Sequence, residues 1–132
     1  MYVQFNEVLP IEDRGYHIGE LSELFAVTLR TIRFYEERGL LAPRRVSART
    51  RVYDRDDVAR LSLIVGCRRF GLTVDEIGDL LEIRDRAGLE TFEPALRTAL
   101  RDRHAAMTTE IAEAEALRNQ LAEWIADLDR AG

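Results

Sequence analysis

The fold of this chain is decided by the stretch Thr28-Leu29-Arg30-Thr31-Ile32-Arg33-Phe34-Tyr35-Glu36-Glu37-Arg38-Gly39-Leu40-Leu41-Ala42-Pro43. Thr28 suits a helix N-cap, and Gly39 followed by Pro43 marks a stop, so a short helix is predicted between them. Leu29 and Ile32 are expected to share a core-facing side, leaving Arg30, Thr31, Arg33 and Phe34 largely outside it. Just upstream, Ile18, Leu21, Leu24 and Phe25 recur at helical spacing, and Ala26-Val27 leaves room only for a tight turn. Two short helices with a tight turn, the second carrying arginines outward, describe a helix-turn-helix. Its second helix would enter a DNA major groove, with Arg30 and Arg33 reaching phosphates or a guanine edge and Thr31 a thymine methyl or a phosphate. Arginines at i and i+3 alone would leave an ordinary solvated face as the better reading.

The segment that follows tips the balance. Arg44-Arg45-Val46-Ser47-Ala48-Arg49-Thr50-Arg51-Val52-Tyr53 holds four arginines and no acid. Its β-branched residues and its tyrosine predict a two-stranded hairpin, a wing laid along the phosphate backbone beside the groove. Arg44, Arg45, Arg49 and Arg51 are its candidate contacts, since cations this dense repel one another unless an anion is present.

Outward from this centre the chain reads as helices. Asp54-Arg55-Asp56-Asp57 is an acidic helix start, followed by the apolar stripe Val58, Leu61, Ile64 and Val65, with a stop at Phe70-Gly71. Thr73-Val74-Asp75-Glu76 is a capping box opening the next helix, with Ile77, Leu80 and Leu81 on one side. Arg86-Ala87-Gly88 signals a turn. From Pro94 to Leu128 one long helix is expected, with Pro94 in its first turn. Leu100, Met107, Ala114, Leu121 and Leu128 recur every seven residues, and a second line runs through His104, Ile111, Arg118 and Ile125. This seam, widened by Leu117 and Trp124, reads as a coiled coil whose partner is a second copy of the chain. Before the helices, residues 1–15 show no period and are expected to form an irregular arm.

The expected organisation is therefore an arm at 1–15, a winged helix-turn-helix at 16–85, a linker at 86–93 and a dimerisation helix at 94–130. The class is mostly α, a winged helix-turn-helix with a helix pair followed by a long dimerisation helix. The dimer interface is expected at Leu100, Met107, Ile111, Ala114, Leu121, Ile125 and Leu128.

Charge supports this division. The net charge of −5 alone argues against nucleic acid, but it is unevenly spread. Residues 1–27 carry one Arg against five acids, residues 28–74 eleven Arg against five, and residues 75–132 seven Arg against fourteen. The basic middle coincides with the predicted helix-turn-helix and wing, an electrostatic footprint for DNA. A hydrophobic content of 46% with 33% charged residues is that of a folded chain and not a disordered one. No apolar run approaches the roughly 20 residues of a membrane span, and no signal peptide is evident at the N-terminus. One cysteine, Cys67, fits a reducing compartment, so a cytoplasmic location is expected.

The chain resembles the MerR family of bacterial transcription regulators. The residues that carry the resemblance are His17-Ile18-Gly19-Glu20-Leu21, the run from Thr31 to Arg45, Arg51-Val52-Tyr53, Phe70-Gly71-Leu72-Thr73, Glu76-Ile77 and Leu80-Leu81. The Thr-Ile-Arg-aromatic-Tyr-Glu run followed by Gly-Leu-Leu-x-Pro is specific to that family. The resemblance implies an antiparallel coiled-coil homodimer on a pseudo-palindromic operator, commonly in an overlong promoter spacer. There it would bend and untwist the DNA so that RNA polymerase engages both promoter elements. By position, Thr28, Arg30, Thr31, Arg33 and Tyr35 match recognition-helix contacts, and Arg45, Arg51 and Tyr53 match wing contacts. Phe34 stands at a frequent Tyr position and keeps the ring. Ala48-Arg49-Thr50-Arg51 stands where Asn-Gly-Tyr-Arg is frequent, so Arg49 takes the place of a lost tyrosine contact.

Neither metal nor cofactor is expected. Metal-sensing members place cysteines near the end of the long helix, and only Ala131-Gly132 follow that helix here, so no appended effector domain is expected either. Cys67 reads as a buried structural thiol and His104 as a packed or solvated residue, since a lone histidine makes no metal site. An architectural DNA-binding factor, of the excisionase-like recombination type, would share the winged helix but not need the long seam. No phosphate loop or nucleophile–base constellation suggests an enzyme.

Overall fold

The computed structural model describes residues 3–4, 7–8, 11–47 and 50–132. They form two compact units, Met1–Phe92 and Glu93–Gly132.

In the first unit, α1 (Ile18–Phe25) and α2 (Leu29–Glu37) are separated by the expected tight turn. Ala26 closes α1 in the left-handed region at φ 53, unusual for a residue with a side chain. Ser22 secures the turn, accepting the Val27 N–H at its carbonyl (3.1 Å) and donating its hydroxyl to the Val27 carbonyl (2.6 Å). Thr28 caps α2, its hydroxyl oxygen accepting the Thr31 N–H at 3.0 Å. The helix ends through Gly39 at φ +76, where the Leu40 N–H returns to the Tyr35 carbonyl.

The buried line of α2 is Ile32 and Tyr35. This corrects the expected core face, because Leu29, in the first turn, is 39% exposed. Rotating the buried line by one residue per turn leaves Arg30, Arg33 and Phe34 together on the opposite side, at i, i+3 and i+4.

The wing is formed by β3 (Arg44–Arg45) and β4 (Arg51–Val52), antiparallel, with Arg44 opposite Val52 and Arg45 opposite Arg51. The turn is closed by Thr50, whose carbonyl accepts the N–H of Val46 and of Ser47. Ala48 and Arg49 lie outside the described residues. Tyr53 exchanges both backbone hydrogen bonds with Tyr16, at 2.8 and 2.9 Å, so the chain entering α1 is stitched to the wing.

Helix α3 (Arg55–Phe70) starts with a reciprocal cap between Asp54 and Asp57 and ends at Gly71 in the left-handed region. Helix α4 (Val74–Ala87) starts with the predicted Thr73–Glu76 box. Both helices bury an apolar side into one core built around Leu61, Ile64, Ile77 and Leu81, against Leu21, Phe25 and Ile32 of the first two helices. Ion pairs Arg60–Asp85 (2.6 Å) and Arg84–Asp56 (3.0 Å) link α3 to α4, and Arg38–Asp75 (2.5 Å) links the end of α2 to the start of α4.

Two expectations need correction. Residues 1–15 do not form a wholly irregular arm, since Val3–Gln4 (β1) pairs antiparallel with Glu7–Val8 (β2). Strands of two residues carry no readable period. Residues 86–93 are not a loop linker either. Gly88, at φ +81, is the one non-helical residue there, and α5 (Leu89–Ala131) begins at once. Phe92, buried in the first unit, explains why this short stretch is ordered. Pro94 therefore lies inside the helix and not in its first turn.

The second unit is the remainder of α5. Its 43 residues span about 65 Å at the helical rise. Ile111, Leu117, Leu121, Trp124, Ile125 and Leu128 all stand exposed along it, Trp124 by 70%. Arg103 and Glu110, two turns apart, form a bidentate ion pair at 3.0 and 3.2 Å.

Candidate nucleic-acid interface

The exposed side of α2 carries Thr28, Arg30, Arg33 and Phe34, with Thr31 half-buried beside the cap. The Thr31 hydroxyl lies 2.8 Å from that of Thr28, so one of the two already serves the helix start. The Arg38 guanidinium, paired to Asp75, sits over the face of the Phe34 ring, 5.9 Å from its centre.

The wing adds Arg44, which is exposed, and Arg51, which is half-buried. Arg45 lies opposite Arg51 in the ladder. Arg51 is not an isolated cation. Its Nε lies 3.4 Å from Oε2 of Glu36 on α2, and the other carboxylate oxygen of Glu36 accepts the Tyr53 hydroxyl. Burial and this hydrogen bond to Glu36 together push the Tyr53 phenol well above its ordinary range. Recognition helix and wing thus share one carboxylate. Glu36 belongs to the sequence motif that carries the family resemblance, but no role was assigned to it there.

Tyr35 and Tyr53 do not join the exposed surface expected of them. Tyr35 is 5% exposed and Tyr53 is fully buried. Tyr53 fills the junction of the wing, the Tyr16 segment before α1, and α2. Tyr35 lines a cavity of about 410 Å³ with Phe25, Ala26, Val27, Val65, Arg68 and Arg69. Burial raises its phenol, an effect opposed by the Arg68 guanidinium facing it. Both tyrosines position the surface from beneath. Arg68 and Arg69, counted in the basic middle but not assigned from the sequence, bring two more cations beside the turn before α2. Arg68 also donates to the Leu72 carbonyl at 2.8 Å, closing the end of α3.

Cys67 is 3% exposed, and burial pushes its thiol up to about 11, so it stays protonated at neutral pH. His104 is exposed on α5. Among the described residues no group of three or more His, Cys, Asp or Glu side chains is placed to hold a metal ion. No helix of the described residues is long and apolar enough to cross a membrane.

A capped recognition helix, an arginine wing and a cationic turn on one core define a winged helix-turn-helix protein of the DNA-binding class. Residues 16–83 match the family described as MerR HTH family regulatory protein, and residues 58–130 match the one described as MerR, DNA binding. The chain belongs to the MerR family of transcription regulators.

Relatives include the HTH-type transcriptional regulator CueR of Vibrio cholerae, 31% identical over 111 residues, covering 83% of this chain and 78% of the relative. A ZntR homolog of Haemophilus influenzae is 35% identical over 108 residues, covering 80% and 78%. Among solved structures, a transcription regulator of Ralstonia metallidurans in complex with lead(II) is 40% identical, with a TM-score of 0.61 over 80% of this chain and 81% of that one. HiNmlR, described as a MerR family regulator lacking the sensor domain and bound to promoter DNA, superposes with a TM-score of 0.63 over 80% of each chain at 23% identity, a likeness of fold.

Proposed function

We propose that this chain is a cytoplasmic, homodimeric regulator that binds a pseudo-palindromic promoter operator and bends and untwists the spacer DNA. It carries out no catalysis in this reading. The observation that carries it is that Glu36 of α2 pairs with Arg51 of the wing and accepts the Tyr53 hydroxyl, joining the two arginine-bearing elements. Residues 16–85 form the DNA-binding unit and 94–130 the dimerisation unit.

Arg30, Arg33 and Thr31 read the major groove, with Thr28 and Phe34 at its edge. Arg44, Arg45, Arg49 and Arg51 take phosphates from the wing, and Arg68 and Arg69 take a phosphate beside the turn. Phosphate contacts set orientation and base contacts set sequence. Bending a short site costs of order 1–6 kcal/mol, which contacts from two protomers repay. A dimer presents two recognition helices to successive half-sites about one helical turn apart, or a multiple of it.

The second copy is supported by the apolar line on α5. Burying each such leucine or isoleucine contributes roughly 1.5–3 kcal/mol. In the dimer Leu100, Met107, Ile111, Ala114, Leu121, Ile125 and Leu128 form the interface. RNA polymerase engages the deformed promoter.

Selection of bound fragments from a genomic library by the purified protein tests this. Dyad sites within promoter spacers are the expected result. Sites without sequence preference or scattered outside promoters would overturn it in favour of an architectural factor.

A further inference from the structure

We propose that Glu36 is a positioning residue for DNA binding, holding Arg51 through Nε so that its two terminal guanidinium nitrogens are presented to a backbone phosphate. The inference rests on the reading that Arg51 contacts a phosphate. It goes further by assigning the orientation of that contact to an acid on another element.

Among the described residues, Arg51 meets its acidic partner on the Nε edge of the guanidinium. Nε lies 3.4 Å from Glu36 Oε2, among the described residues neither Nη1 nor Nη2 makes a hydrogen bond, and 31% of the side chain remains exposed. A guanidinium has five donors in a fixed fork, and an acceptor on the Nε side leaves the terminal pair for a bidentate anion. The carboxylate is itself held. Its side chain is 12% exposed, and its second oxygen accepts the hydroxyl of the fully buried Tyr53, whose backbone is paired to Tyr16. Arg51 also stands opposite Arg45 in the backbone register of the wing ladder. Glu36 therefore supplies both the direction and the neutralisation that let Arg51 stay ordered before DNA arrives. Ordering a long side chain in advance removes part of the entropy cost of binding.

The sign of one substitution separates this role from simple charge. Removing an acid beside a polyanion should tighten DNA binding by electrostatics alone. Removing a clamp should weaken it. The test measures affinity for a mixed-sequence duplex of about 30 base pairs, long enough for one site, across a salt series. The proteins compared are wild type, Arg51→Ala, Arg51→Lys, Glu36→Gln and the Glu36→Gln/Arg51→Ala double variant.

Arg51→Ala should weaken binding by about tenfold and flatten the salt slope by about 0.9 per arginine lost. Glu36→Gln should weaken binding in the same direction, and the double variant should be no worse than Arg51→Ala. Arg51→Lys keeps the charge but has no fork to clamp. It should retain most of the slope and bind more weakly than wild type, and binding equal to wild type would overturn the inference. This arm sits on the exposed wing and does not depend on how Glu36→Gln folds. Tighter or unchanged binding by Glu36→Gln, or additive losses in the double variant, would overturn the inference while leaving the phosphate contact standing. Unchanged binding by Arg51→Ala would remove the contact itself, and the inference with it.

Discussion

Gly15 and Val52 meet so closely that a β-carbon on the glycine would lie 2.6 Å from Cγ1 of the valine. The segment before α1 and the wing can therefore approach only because residue 15 has no side chain. Gly15→Ala should push Val52 and β4 away from the Tyr16 pairing, costing about 1–3 kcal/mol as other overpacked sites do. Thermal unfolding and DNA affinity should both fall. Adding Val52→Ala should restore much of each, and a double variant as impaired as Gly15→Ala alone would show that the contact is not the cause.

Ala26 carries a strain of a different kind. Its φ of 53 costs an L-residue roughly 1–2 kcal/mol, while glycine there costs about 0.4–1 kcal/mol of unfolded-state entropy. Ala26→Gly should raise stability by up to about 1 kcal/mol, read as an unfolding midpoint a few degrees higher. A lower midpoint would mean that the methyl group packs usefully in the turn.

Asp57 gives the first unit a pH dependence of recognisable sign. Burial, with a smaller contribution from Asp54, raises its carboxyl from the ordinary range to about 6. The folded protein then binds a proton that the unfolded chain releases near 3.8. This contribution is fully present below that value and is lost as pH rises through about 6. Glu20 and Glu110 are shifted the opposite way by Arg14 and Arg103, so total stability is not the diagnostic. The difference between wild type and Asp57→Asn is. Chemical unfolding at pH 4 and 7 should show the variant gaining, relative to wild type, by about 1–3 kcal/mol at the higher pH, at 1.36 kcal/mol per unit shifted. A pH-independent difference would count against a raised carboxyl.

Ile111 lies mid-seam and is 55% exposed in the single chain. Ile111→Asp should give a monomer by light scattering and lose operator affinity together with dimerisation, while the helical circular dichroism of the first unit persists. A tightly binding monomer would remove α5 from the assembly.

Much of this arrangement was legible because short-range chemistry determined it. Thr28, Gly39, Gly71 and the Thr73–Glu76 box act within one turn of chain, so their roles follow from spacing. The placement of Leu29 was not legible. Whether Leu29 or Tyr35 completes the Ile32 stripe depends on the tilt of α2 against its neighbours, which its nine residues do not determine. Tyr53 was expected as a DNA contact from its match to the family's wing, and its burial depends on the pairing with Tyr16, 37 residues away. Glu36 could be quoted as part of the family motif, but its role was not legible for the same reason, since its partners Arg51 and Tyr53 are remote in sequence.

The burial of Cys67 has one more consequence. It is the only thiol in the chain, it sits near the end of α3, and it is sealed at 3% exposure. An alkylating reagent can reach it only when the surrounding core parts, so when reclosing outpaces labelling its modification rate measures how often that happens. The molecule thus carries a built-in gauge of its own transient openings. With DNA bound, the same gauge would register whether gripping the duplex quiets the interior or leaves it breathing as before.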